Sequence, residues 1–337
     1  MRFLFALALA SCAYGSSVRQ YHPPGAGNGT AVAAGGLRDY RCFDPPAAPR
    51  RGIRHWRNRH LWTVMQSEHR GTDLVASDAD AEQVVGGKLA HSIFDKAIED
   101  EDVELYACRG DGWHVLGTAT TDRDGRFALR LTGDARLPIG MRDIFAAAPD
   151  GDDFRFLAYV APRGTQIVVS DIDGTLTHSE GAFPKSVLFG SAVHAQRDAA
   201  ATLRAATAAG YQMVYITARG DRFTDATRRW LVEQGFPRGP LRLGQPLFVM
   251  PGAPTVEYKW NTIVWLRSKF GVAAGLGNRA TDVEAYRMAG LPARRTFVKL
   301  PEFSRELEGQ LAQHKAIGFE EYGPLPLPVL AARHASR

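Results

Sequence analysis

Cysteine is scarce in this 337-residue chain, and no long apolar run follows the first dozen residues. Cys12, Cys42 and Cys108 leave room for at most one intrachain bridge. A membrane-spanning helix needs about 20 consecutive apolar residues, which excludes one anywhere after the N-terminus. Strong charge of one sign is also lacking: the formal charge is +5 and the isoelectric point near 9.2. That mild basicity suits an acidic partner such as anionic lipid, nucleic acid or a phosphorylated substrate, and does not choose among them. The length provides for two domains with sizeable cores.

What is present begins with "MRFLFALALASCAYGSS": one basic residue, then an apolar run from Phe3 to Ala10. The run is too short to cross a bilayer and suits a cleaved export signal. Leu9-Ala10-Ser11-Cys12 resembles a bacterial lipoprotein box. That resemblance implies a lipidated Cys12 and an anchored protein of the bacterial cell envelope, in the periplasm or outer membrane; ordinary cleavage near Ala13 or Gly15 is the alternative. With Cys12 lipidated, Cys42 and Cys108 remain, either as a disulfide in an oxidising compartment or as two idle thiols.

Five segments are expected. Residues 1–11 form the signal, and 12–82 a Gly/Ala/Pro-rich tether that ends in a basic, aromatic helical stretch, "RRGIRHWRNRHLWTVMQSEHR", over 50–70. This stretch either rests on anionic headgroups or, the preferred reading, docks its broad apolar stripe on the next domain. Residues 83–162 alternate in short runs such as "DVELYACRG" and "RFALRL", separated by Asp-Gly turns. They predict a small antiparallel β-sandwich, and "TTDRDGRFAL" resembles a hairpin of transthyretin-like and immunoglobulin-like domains. Asp122 and Asp124 belong to that turn rather than to a calcium site, and no catalytic set is visible there. Residues 163–320 alternate strand and helix, predicting a doubly wound α/β domain with a parallel sheet, and 321–337 a loose tail.

In such a sheet, chemistry gathers at the carboxyl ends of the strands. The buried run "TQIVVSD" ends on Asp171 and Asp173, followed by Gly174-Thr175; "YQMVYITARGD" ends on Thr217 and Arg219. Lys259 opens a later helix, and "GLGNRATDVEAYR" carries Asn278, Arg279 and Asp282. The set is complete for phosphate-ester hydrolysis. Asp171 attacks phosphorus to give an acyl-phosphate, and Asp173 protonates the leaving oxygen and later takes a proton from water. Carboxylates facing a phosphate repel it, so a divalent cation is required. Mg²⁺ prefers a few carboxylate oxygens plus water and phosphate oxygen, and Asp171, Asp282, Asn278 and the backbone carbonyl of Asp173 suit it. Thr217 binds phosphoryl oxygen, and Lys259 balances charge in the transition state. Gly174, Thr175, Arg219 and Arg279 are the candidate substrate-binding residues. Lys259 as a solvated helix residue and Thr217 as a helix cap are the blander readings; Arg287, Arg294 and Arg295 read as surface charge.

In this order the four motifs resemble the haloacid dehalogenase superfamily. "SDIDGTLTHSE", "GYQMVYITARGD", "TRRWLVEQGFPRGPLRL" and "GNRATDVEAYRMAGLPARRTF" are more narrowly similar to the catalytic domain of lipins and its relative in RdgB-type phosphatidylinositol-transfer proteins. The resemblance covers residues 165–300. It implies a Mg²⁺-dependent phosphatidate phosphatase with Asp171 as nucleophile and Asp173 as acid and base. RdgB-type relatives have lost the first aspartate and bind phosphatidate without cleaving it; this chain keeps both carboxylates.

About 45 residues separate Asp171 from Thr217, and a similar interval precedes Lys259, so no large cap domain fits and the site is expected to be open. With the export signal, openness favours phosphatidate in a membrane, hydrolysed to diacylglycerol, over a phosphoprotein or a nucleic-acid end. No nucleic-acid or obligate protein partner is expected. A non-catalytic phosphatidate-binding module is the alternative of another class.

Overall fold

The computed structural model describes residues 29–32, 36–46, 52–59, 67–92, 94–182, 192–244 and 249–323. The signal peptide, Cys12, Trp62 and the end of the tail lie outside them. The chain forms two compact units, Met1–Ala33 with Leu37–Pro162, and Ala34–Gly36 with Arg163–Arg337.

The first unit is built from β1 (Gly29–Val32), β2 (Arg38–Arg41), β3 (Arg70–Thr72), β4 (Leu74–Ser77), β5 (Glu82–Lys88) and β6 (Ala90–His91). These are followed by β7 (Lys96–Ala97), β8 (Asp102–Cys108), β9 (Trp113–Thr120), β10 (Arg126–Thr132), β11 (Gly140–Ala147) and β12 (Asp153–Ala161). One sheet runs β1-β2-β11-β12-β4, with β8 pairing both β11 and β9; a second runs β10-β5-β3. Apolar side chains of both sheets, among them Val85, Leu105, Phe127, Ile144 and Phe156, meet in one core, as alternation along each strand dictates.

Three expectations need correction: the pairing of the sandwich, the extent of the tether and the length of the basic helix. The sandwich is mixed rather than antiparallel, because β2–β11 and β12–β4 are parallel pairs. The tether ends well before residue 82: β1 to β4 all fall inside it, held by contacts the local composition does not encode. Cys42 is joined to Cys108, and Arg155 donates from Nη1 and Nη2 to the carbonyls of Cys42 and Phe43, both at 2.7 Å. The basic helix does not reach residue 70; residues 56–59 make a helical turn, whereas Ser67 bridges to His91 and Arg70 starts β3. The N–H groups of Arg54 and His55 and the Asn58 amide converge on the buried Glu101 carboxylate at 2.7–3.0 Å, which favours docking over headgroup contact. The Asp122 carboxylate accepts the N–H groups of Asp124 and Arg126, as a turn requires.

The second unit contains β13 (Gln166–Ser170), α1 (Ala199–Ala208), β14 (Gln212–Gly220), α2 (Thr224–Glu233), β15 (Leu241–Gly244) and α3 (Ala253–Arg267). β16 (Gly271–Gly277), α4 (Ala280–Met288), β17 (Thr296–Lys299), α5 (Ser304–Ala312) and β18 (Ile317–Phe319) complete it. The sheet is parallel throughout, in the order β15-β14-β13-β16-β17-β18. A strand buried on both faces needs a nearly continuous apolar run, and Ile167, Val168 and Val169 supply it. Leu203, Ala206, Trp230 and Leu231 of α1 and α2 pack with Val168, Met213 and Tyr215 on one face. On α4, the Tyr286 ring lies where a Cβ on Gly275 would be, so glycine allows the helix to approach. The chain leaves β13 in one direction and returns to β16 on its other side, which places a topological switch point, the usual ligand crevice of such sheets, beside β13. The tail expectation is also corrected: Tyr322 is buried and its hydroxyl donates to the Thr175 carbonyl at 2.8 Å.

The Cys42–Cys108 bridge closes a segment of 66 residues between buried sulfurs. Replacing both cysteines by serine is expected to cost roughly 2–4 kcal/mol, chiefly through the freed unfolded chain. Urea unfolding of the purified protein with and without reductant measures it; equal midpoints would contradict a stabilising bridge.

Candidate active site

β13 ends at Ser170, so Asp171 emerges at its carboxyl end, its N–H donating to the Leu276 carbonyl of β16 at 2.9 Å. One carboxylate oxygen, Oδ1, accepts from Lys259 Nζ at 2.7 Å, and Oδ2 from the Thr175 hydroxyl at 3.1 Å. Lys259 projects from α3 and is itself buried; its ammonium lies 2.5 Å from Asp282 Oδ1. Asp282, in the first turn of α4, turns Oδ2 back onto the N–H groups of Asn278 and Arg279 at 2.9 and 3.0 Å, as an acidic side chain at a helix start should. One ammonium thus joins β13 to α4 through two buried carboxylates.

The Asn278 amide completes this cluster. Its Oδ1 lies 3.2 Å from the Thr175 hydroxyl, and its Nδ2 donates to Glu180 Oε2 at 2.9 Å. Gly174, at φ +68°, is needed here twice over: side chains are strained at that φ, and a Cβ would lie 2.0 Å from Asn278 Nδ2.

Asp173 heads a second, adjoining cluster. Arg219 clamps it with Nε at 2.8 Å and Nη2 at 2.6 Å, and the Thr217 hydroxyl donates to it at 3.2 Å. The guanidinium is fixed in turn by Nη1 on Thr227 at 2.9 Å. Arg219 lies where the β14–β15 register shifts, between Thr217 and Gly220. Arg279, the other arginine expected to meet substrate, pairs with Glu306 at 2.9 Å, stands 3.7 Å from Glu180 and lies over the Phe303 ring.

Asp171 and Asp282 therefore flank the buried Lys259, Asp173 faces the buried Arg219, and Glu180 joins them through Asn278. Burial pushes the Asp171 carboxyl up to about 7, against the pull of Lys259 and with the help of Asp282 and Asp173. Burial and then Asp171 push Glu180 up to about 8. For Lys259, burial opposes the charge, but Asp171 and Asp282 outweigh it and hold the ammonium well above the usual lysine value. The donors are all oxygen and in anionic excess, which fits a hard divalent cation. Asp171, Asp282 and Asn278 Oδ1 are the groups that could hold one.

The sequence expectation omitted Glu180, although it lies only nine positions beyond Asp171; a lone glutamate in a loop has no periodic or motif signal. Arg287 pairs with Glu284, and Arg294 and Arg295 are exposed.

Two family models match. The LNS2 domain of the PITM 1-3 family matches residues 168–299, and the β-sandwich domain of the same family matches 67–156. Among individual relatives, membrane-associated phosphatidylinositol transfer protein 3 of Homo sapiens is 27% identical over 272 residues, covering 78% of this chain and 27% of its own length. Protein retinal degeneration B of Drosophila melanogaster is 23% identical over 270 residues, covering 77% and 20%. The chain therefore spans about a quarter of the length of the curated relatives it matches. A solved structure, a putative β-phosphoglucomutase from Thermotoga maritima, overlaps 51% of this chain and 100% of its own at 15% identity and a TM-score of 0.35, too low to carry weight. The relatives overturn the bacterial-envelope expectation: they are eukaryotic proteins, the human one named as membrane-associated, and a four-residue match to a lipoprotein box is too short a signal to stand against similarity over three quarters of the chain.

The raised carboxyls predict a pH dependence of stability. Between the usual 3.8 and about 7 the unfolded chain has released the Asp171 proton while the folded chain still holds it, so stability falls as pH rises through that window and levels off above it. Glu180 extends the fall to about 8. Without divalent cations, the urea midpoint is expected to drop between about pH 5 and about pH 8, and Asp171→Asn to flatten that drop. An Asp171→Asn profile as steep as the wild type would remove Asp171 as its source.

Proposed function

We propose that the second unit is a Mg²⁺-dependent phosphomonoesterase acting on phosphatidate at a membrane surface, releasing inorganic phosphate and diacylglycerol. The observation that supports it best is the Asp171 carboxylate at the end of β13, held by Lys259 and Thr175, with Asp173 two residues on. An Asp171 oxygen attacks phosphorus as the P–O bond to diacylglycerol breaks, and Asp173 gives its proton to the leaving oxygen. Water then attacks phosphorus, Asp173 takes its proton, and the Asp171–phosphorus bond breaks to return the carboxylate. Lys259 and the Thr217 hydroxyl stabilise charge on the phosphoryl oxygens. Bound Mg²⁺ would neutralise the phosphate in the Asp171, Asp282 and Asn278 set. For Asp173 to act, the Arg219 clamp has to loosen when substrate enters, its guanidinium moving onto the phosphate.

A second reading, a phosphatidate-binding module without turnover, draws support from the LNS2 match and from relatives whose names describe lipid transfer. The two separate in one assay: phosphate release from phosphatidate in mixed micelles, with and without Mg²⁺, beside a soluble aryl phosphate and a phosphopeptide. The expected outcome is Mg²⁺-dependent release from phosphatidate, lost by several orders of magnitude in Asp171→Asn. Chelator-insensitive binding to phosphatidate vesicles with no phosphate released would select the second reading. Release from soluble substrates alone would discard the lipid.

A further inference from the structure

Glu180 takes no part in the chemistry above, yet its half-buried side chain is hydrogen-bonded to a candidate metal ligand. An asparagine side chain has one atom able to bind a hard cation, its carbonyl oxygen, and turning the amide over would present an NH₂ group instead. In this site the choice is made by Glu180. Its Oε2 accepts from Asn278 Nδ2 at 2.9 Å, which leaves Oδ1 facing the Thr175 hydroxyl at 3.2 Å. Glu180 is itself held from both ends. Its N–H donates to the Glu302 carboxylate at 3.0 Å, and Arg279, tied to Glu306, reaches to 3.7 Å from its other oxygen. Arg279, expected to bind substrate, thus serves as an outer brace of this chain of contacts.

We infer that Glu180 is the positioning residue that fixes Asn278 as a divalent-cation ligand, acting only through the amide. This rests on the Mg²⁺-dependent reading above. Groups that orient metal ligands typically change metal affinity about 10- to 100-fold when removed.

The test is Mn²⁺ binding, followed by electron paramagnetic resonance with Mg²⁺ as competitor, on the full chain. It is run for wild type, Glu180→Ala, Glu180→Gln, Asn278→Ala and the Glu180→Ala/Asn278→Ala pair. Glu180→Ala is expected to weaken Mn²⁺ binding about 10-fold or more. Glu180→Gln, whose carbonyl still accepts from Nδ2, should recover most of that loss. The pair should bind no more weakly than Asn278→Ala alone. A Glu180→Gln variant as weak as Glu180→Ala would overturn the inference in favour of charge or direct ligation. So would a pair weaker than Asn278→Ala, or unchanged binding in Glu180→Ala; should that variant fail to fold, the Glu180→Gln comparison decides. Phosphate release, measured in parallel, separates the two readings. Absent release with the Mn²⁺ pattern intact removes the phosphatase and leaves Glu180 in its role, whereas a wild type that binds no Mn²⁺ removes both.

Discussion

The second unit depends on one ammonium held between two carboxylates. Asp171 and Asp282 are both buried, and two unpaired charges there would be prohibitive. Lys259 makes the arrangement tolerable by touching both, which fixes α3 and α4 relative to the end of β13. Asp282 then uses its other oxygen to satisfy the N–H groups at the start of α4. The same three residues hold the fold at the switch point and carry the chemistry proposed for it. A reactive carboxylate can be kept out of water only where such a partner stands ready.

Around that pair the loop after β13 is held from several sides. The Gly174 N–H donates to the Thr177 hydroxyl at 2.8 Å, the Thr175 carbonyl accepts from Tyr322, and the Thr175 hydroxyl faces both Asp171 and Asn278. Two of these partners, Asn278 and Tyr322, are far from the loop in sequence, so the loop is held in full only when the whole sheet is assembled. Such a loop is preorganised, which is what electrostatic catalysis asks of a site. The first unit uses a parallel device, with Arg155 and the Cys42–Cys108 bridge securing a segment of poor intrinsic order.

Where sequence and structure part, the cause is tertiary. β11 is a central strand of the first unit, yet Arg142 and Asp143 interrupt its apolar run, and it has no clear strand signature; Arg142 is buried over the Tyr40 ring. β15 and β18 are short edge strands of a few residues. β1 and β2 lie in Gly- and Ala-rich sequence and are strands because of what they pair with. Arg219 and Arg279 read as anion binders because arginine usually is one, but their partners here are Asp173 and Glu306, carboxylates that no spacing rule connects to them.

The sequence by itself determined the strand–helix alternation after residue 163 and the residue types at the strand ends. Both rest on local pattern: a continuous apolar run specifies a doubly buried strand, and Asp-x-Asp-Gly-Thr after it specifies a carboxylate pair with a tight turn. Only the tertiary structure decided which groups share a proton, a cation or a brace. That Lys259 serves Asp171 and Asp282 together, that Glu180 selects the face of Asn278, and that Tyr322 belongs to the core all depend on distances between residues that the chain keeps apart until it folds.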